Sequence, residues 1–192
     1  MPFGSKGFSS QQTLLVERLV DRLWDWTRQA DLPVVIDASS CLYAIKSASA
    51  LLQGERQLQL HAFRVLDAAE FVRDTLLPRL CVHRLDRSVV LHPNCASRKL
   101  GTDRALMDVA SRCAFRVSVP ESLECCATAG DRSLLVPELT RSALGPEHAE
   151  VASEEWDGYY SNNLTCEMGL RQVMARPYKP FLYLVEEATR PA

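Results

Sequence analysis

Ser88-Val89-Val90-Leu91-His92-Pro93-Asn94-Cys95 is the stretch on which the fold turns. Its short apolar, β-branched run reads as a buried strand, and Pro93-Asn94 ends it. Cys95 therefore stands just past a strand end. The same order recurs along the chain. Val34-Val35-Ile36 runs into Asp37-Ala38-Ser39-Ser40-Cys41, and Phe115-Arg116-Val117-Ser118-Val119 stops at Pro120 ahead of Cys125-Cys126. Tyr159-Tyr160-Ser161-Asn162-Asn163 reads as a short last strand, followed by Thr165-Cys166-Glu167.

Helical spacing separates these strands. Leu15, Val16, Leu19, Val20, Leu23 and Trp24 give residues 11–29 one apolar stripe. Further helices are expected over 41–53, ended by Gly54, over 67–77 before Pro78, and over 103–113. Two more are expected over 132–144 and 146–156, the second opening on Pro146, then 165–174 and 181–188. Strands alternating with helices predict an α/β fold. Its mostly parallel sheet has about four strands, helices flank it, and the cysteine loops lie at the strand carboxyl ends. A tail and helix over 1–32 precede a single compact domain over 33–192.

The 192 residues carry 22 Lys and Arg against 24 Asp and Glu, and no basic run stands out. Nucleic-acid binding needs clustered positive charge and is not expected. No apolar stretch approaches the roughly 20 residues that span a bilayer. The first residues lack the apolar run of a signal peptide. The expected location is the cytoplasm, with peripheral docking at the inner membrane open to it through a partner.

Seven cysteines in such a chain call for chemistry. In a reducing compartment clustered thiols more often bind metal than form disulfides. Cys41, Cys95, Cys125 and Cys126 all follow strands, and loops at the carboxyl edge of a parallel sheet converge. Cys166 opens a helix, where backbone N–H groups favour a thiolate. The adjacent pair Cys125-Cys126 reaches two irons of a multinuclear cluster more readily than one ion. No C-x-x-C pair is present, so iron–sulfur is favoured over mononuclear zinc. Cys81 and Cys113 read as small buried hydrophobes. His92 has two readings: a hydrogen-bond partner of a cluster sulfur, or a stabiliser of the strand-to-loop turn.

Leu123-Glu124-Cys125-Cys126-Ala127-Thr128-Ala129-Gly130-Asp131-Arg132, followed by Pro137-Glu138-Leu139-Thr140, resembles the CCG motif of cysteine-rich-domain proteins. These include the iron–sulfur component of glycolate oxidase and the cysteine-rich component of heterodisulfide reductase. With Asp37–Cys41, His92–Cys95 and Ser161–Leu170, the chain from about Pro33 onward most resembles the C-terminal cysteine-rich region of bacterial FAD-linked D-lactate dehydrogenase-like enzymes. The resemblance implies an electron-transfer domain with a [4Fe–4S]-type cluster held by Cys41, Cys95, Cys125, Cys126 and Cys166, with His92 beside it. It also implies FAD on a preceding domain or a partner subunit, and an electron acceptor such as a quinone. The chain alone is not expected to oxidise D-lactate. The alternative is a structural or docking module without a cluster, or a zinc-binding domain, of the same kind of oxidoreductase.

Two departures from that pattern bear on the site. Ala127 takes the place of the motif's glycine, which is accommodated without strain only if φ is negative. Asn163 stands where heterodisulfide reductase has the first cysteine of a final pair.

Overall fold

The strand expected over 88–92 extends from Leu85 to His92 in the computed structural model, which describes residues 2–191. In chain order the strands are β1 (Val34–Ile36), β2 (Val65–Asp67), β3 (Leu85–His92), β4 (Ala114–Ser118), β5 (Gly158–Ser161) and β6 (Lys179–Pro180). They form two sheets, β1-β2 and β4-β3-β5-β6, and every pairing is parallel. The α/β architecture with a four-stranded parallel sheet is as expected.

Its membership differs in one strand. Val34–Ile36 pairs with Val65–Asp67 instead, and Lys179–Pro180 takes the fourth place. Two residues ending in proline carry no periodicity to read, and proline is tolerated there because the strand lies at an edge. A single compact domain over 33–192 gives way to two compact units, Met1–Ala68 and Ala69–Ala192.

In the first unit, helix Ser9–Trp26 buries Val16, Val20 and Leu23 against Ala48, Leu52 and Phe63. Val34 and Val65 of the small sheet pack on the same cluster. The Ser39 hydroxyl donates to Asp67 Oδ2 at 2.6 Å, tying the ends of β1 and β2 together. The segment after Pro33 thus closes on the N-terminal helix, which is why the division falls later than expected. Gly54 does not end a helix; it opens the next one, Gly54–Ala62, with φ +60°.

In the second unit β3 is central, and Val89, Val90, Leu91 and His92 are all buried. A parallel strand covered on both faces has to read this way. Helix Asp103–Cys113 packs against Phe181–Thr189, and helix Pro137–Val151 against Leu164–Met174. The break expected before Pro146 falls instead at Val136, which precedes Pro137 and lies outside the helical region (φ −136°, ψ 73°). Pro146 lies inside a continuous helix. Among the described residues no helix is long and apolar enough to cross a membrane.

Candidate metal centre

The parallel pairing of β3 with β5 places His92 opposite Ser161. Past this pair the two strand ends are stitched together. Ser161 Oγ donates to the His92 carbonyl at 2.8 Å, and the Asn94 N–H donates to Asn162 Oδ1 at 3.0 Å. Asn94 also caps the helix Cys95–Leu100, accepting from the Ser97 N–H at 2.8 Å. Cys95 and Cys166 consequently open two helices that leave neighbouring strands at the same edge.

The loop over residues 119–131 brings in the other two thiols and is pinned from both sides. Arg98, on the Cys95 helix, donates to the Leu123 carbonyl at 3.0 Å. The Glu150 carboxylate accepts from the Ser122 hydroxyl and from the Glu121 and Ser122 N–H groups at 2.8 and 2.9 Å. Those bonds, the Ser122 hydroxyl foremost, hold Glu150 below the usual carboxylate range. Gly169 permits the last approach. A Cβ there would sit 2.6 Å from Thr128 Cγ2 and 3.1 Å from Thr140 Cγ2, so the helix carrying Cys166 lies directly on the cysteine loop.

Four thiols and an imidazole result. Cys126 Sγ lies 2.9 Å from Cys166 Sγ, and Cys125 Sγ lies 3.9 Å from Cys95 Sγ. His92 closes the group: its ligating nitrogen and the Cys126 and Cys166 sulfurs all lie within 4.8 Å of one another. His92, Cys126 and Cys166 are buried, Cys95 is half-buried and Cys125 is exposed. His92 Nδ1 donates to Glu147, 2.8 and 3.0 Å from its two carboxylate oxygens. His92 Nε2 is buried with no hydrogen-bond partner among the described residues.

The charges are arranged around Cys126. A hydrogen bond from the Cys166 thiol lowers Cys126, against the opposing effect of burial, and His92 and Thr128 add to the lowering. Cys166 moves up as the donor of that bond and through burial. Burial works against a charged His92, but Cys126 and Glu147 outweigh it and lift the imidazole to about 9. Burial, then the neighbouring Cys125, raises Cys95. One buried thiolate thus faces an imidazolium that is itself backed by a carboxylate.

Cys95, Cys125, Cys126 and Cys166, four of the five thiols of the strand-end reading, are brought together with His92 beside them. Cys41 follows β1 in the first unit, exposed on the first turn of helix Ser39–Lys46. Cys113 is fully buried, as expected of a small hydrophobe, whereas Cys81 is exposed. Cys81 falls in an irregular stretch between Arg79 and β3, where no apolar face requires it. Ala127 has φ 54°, so the residue replacing the motif glycine does occupy the left-handed region. From there its N–H points to Cys125 Sγ at 3.4 Å. Asn163 donates to Cys166 Sγ at 3.3 Å.

The sequence reading missed Glu147, Asn94 and Glu150. Asn94 had a signal, an asparagine three residues before Ser97 at a helix start. Glu147 had one too. It is the acid on a buried helical stripe of Thr140, Leu144, Glu147 and Val151.

The donor set fits a soft metal. Thiols and an imidazole are soft or borderline ligands, and His92 Nε2 has no hydrogen bond among the described residues. No family model matches this chain, and no curated protein matches it significantly.

Proposed function

We propose that the second unit holds a [4Fe–4S]-type cluster through Cys95, Cys125, Cys126 and Cys166, and that it forms the electron-accepting end of a flavin-linked 2-hydroxy-acid dehydrogenase of the D-lactate type. The observation that carries the cluster is the divergence of the adjacent pair. Cys125 turns to Cys95 and Cys126 turns to Cys166, although the two are neighbours in the chain. Adjacent thiols with separate partners suit separate irons. When bound, such a cluster supplies one-electron uptake and release.

The chain's own residues set the conditions for that chemistry. Glu147 orients His92, Thr128 and Asn163 donate to or share protons with the sulfurs, and burial of Cys126 and Cys166 keeps water from the inner pair. Exposed Cys125 marks the side on which electrons enter or leave. The donor is FAD on another domain or subunit, and the acceptor is a quinone or similar carrier. That assignment rests on the sequence resemblance.

A second reading has its own support. His92, Cys126 and Cys166 lie close enough to serve one tetrahedral ion such as zinc. Anaerobic reconstitution of the full chain with iron and sulfide, followed by metal and acid-labile sulfide analysis, separates the two. Bound iron with matching sulfide is expected. Zinc retained with no sulfide taken up sinks the cluster and leaves the zinc site.

A further inference from the structure

We infer that His92 is itself a metal ligand through Nε2, and that Glu147 is the positioning residue that keeps it in that role. This rests on the metal-centre reading above and adds a nitrogen to its donors.

Three observations carry it. His92 is fully buried, and Nε2 is an orphan among the described residues, which buried polar atoms rarely are. Were His92 a stabiliser of the strand-to-loop turn, Nε2 or Nδ1 would bond a backbone carbonyl of that turn. Instead Nδ1 bonds the Glu147 carboxylate, and a ring nitrogen lies within 4.8 Å of the Cys126 and Cys166 sulfurs.

The carboxylate also settles the ring's chemistry. An acceptor at Nδ1 keeps the proton there, so the lone pair available to a metal is on Nε2. Carboxylate–histidine–metal relays are the usual way in which a ligating imidazole is held and made more basic. Glu147 grows from a buried helical stripe, so it cannot swing away to water.

Distance agrees. Metal–nitrogen and metal–sulfur bonds of about 2.0 and 2.3 Å put two ligand atoms of one tetrahedral ion roughly 3.5–4 Å apart. The three ligand atoms already lie within 4.8 Å. On metal binding the Cys126 and Cys166 sulfurs, 2.9 Å apart, open to that spacing while the imidazole closes in, and ligand protons are released. Asn163, in turn, donates to Cys166 Sγ and offers no thiolate at its position.

The test uses the full chain carrying 15N-labelled histidine, reconstituted anaerobically with iron and sulfide and reduced with dithionite. Pulsed electron paramagnetic resonance should show a strongly coupled nitrogen that changes with the label. His92→Cys should keep iron and sulfide, lose that coupling and shift to a lower reduction potential, because replacing imidazole by thiolate adds negative charge. Glu147→Gln should keep the coupling but weaken iron retention by roughly 10–100-fold.

Iron and sulfide present with only the weak coupling of a hydrogen-bonded ring overturns the ligand and leaves the cluster standing. Unchanged iron retention in Glu147→Gln overturns the positioning role. If the wild-type chain takes up no sulfide, the cluster reading falls and the ligand inference falls with it. Should His92→Cys fail to assemble, the labelled wild-type spectrum decides alone.

Discussion

The first and second units contain the same local signal, a short apolar strand running into a cysteine, and use it differently. In Met1–Ala68 the strand before Cys41 has one partner, β2, and no other cysteine lies in that unit. In Ala69–Ala192, β3 lies between β4 and β5, all parallel, and each is followed by a cysteine-bearing segment. Three strand ends then share one edge, and four thiols meet there. A strand end offers a place for a ligand; adjacency in the sheet makes the place a site. The second unit adds an acid and an imidazole beneath the thiols, and among the described residues the first shows no such pair at Cys41.

The largest effect that tests this contrast concerns iron. Cys126→Ser should abolish stable iron binding, since Cys126 touches Cys166, Thr128 and the His92 side of the group. Cys41→Ser should leave iron and sulfide content unchanged, measured on the same reconstituted preparations. Equal loss in the two variants would make Cys41 a ligand and break the contrast.

Next in size is the buried pair. Glu147→Ala leaves His92 buried without its acceptor, and stripping one partner from such a pair costs about 3 kcal/mol or more. Urea unfolding of the reduced, metal-free chain should show that loss. The exposed Arg56–Asp21 pair of the first unit supplies the control, and Asp21→Ala should move the midpoint very little.

Much of this is legible in the sequence alone. The apolar runs at 34–36, 88–92 and 115–119 and the cysteines behind them are local signals, and local signals survive folding. Strand pairing is not local. Nothing in Val34-Val35-Ile36 says that its neighbour is Val65–Asp67, a three-residue strand with too little pattern to read. Glu147 lies 55 residues from His92, and only the packing of helix Pro137–Val151 brings them together. Its place on an apolar stripe was readable, but its partner was not. The sequence reading also weighed Ala127 on the assumption that alanine avoids positive φ, and the loop overrides that preference.

A second buried acid of the second unit gives a smaller effect. Burial lifts Glu167 to about 7, with Arg171 opposing it. A carboxyl raised above its unfolded value of 4.5 binds a proton in the folded state that the unfolded chain has already lost. Stability from this group is therefore whole below about 4.5, declines as pH rises to about 7, and is level above. Glu167→Gln has no proton to lose, so its advantage over wild type should open across that window and reach on the order of 2–3 kcal/mol. Urea midpoints at pH 4.5 and 7.5 check it, and an advantage that does not grow with pH refutes the assignment to Glu167.

The smallest effects are a matched pair of backbone changes, one in each unit. Ala127 in the second unit has φ 54°, and Gly54 in the first has φ +60°. The left-handed region costs a residue with a Cβ about 1–2 kcal/mol. Glycine escapes that cost but gives the unfolded chain extra freedom, which returns about 0.4–1 kcal/mol. Ala127→Gly should therefore stabilise the metal-free chain by about 0.5–1 kcal/mol, and Gly54→Ala should destabilise it by a similar amount. No atom lies within 4 Å of a Cβ built on Gly54, so its penalty is conformational alone. The two changes can then be compared directly by urea unfolding. If Gly54→Ala behaves as stated and Ala127→Gly loses stability instead, the Ala127 methyl is packing usefully beside Cys125 and Cys126. Strain in the cysteine loop would then be offset by contact rather than held at the site.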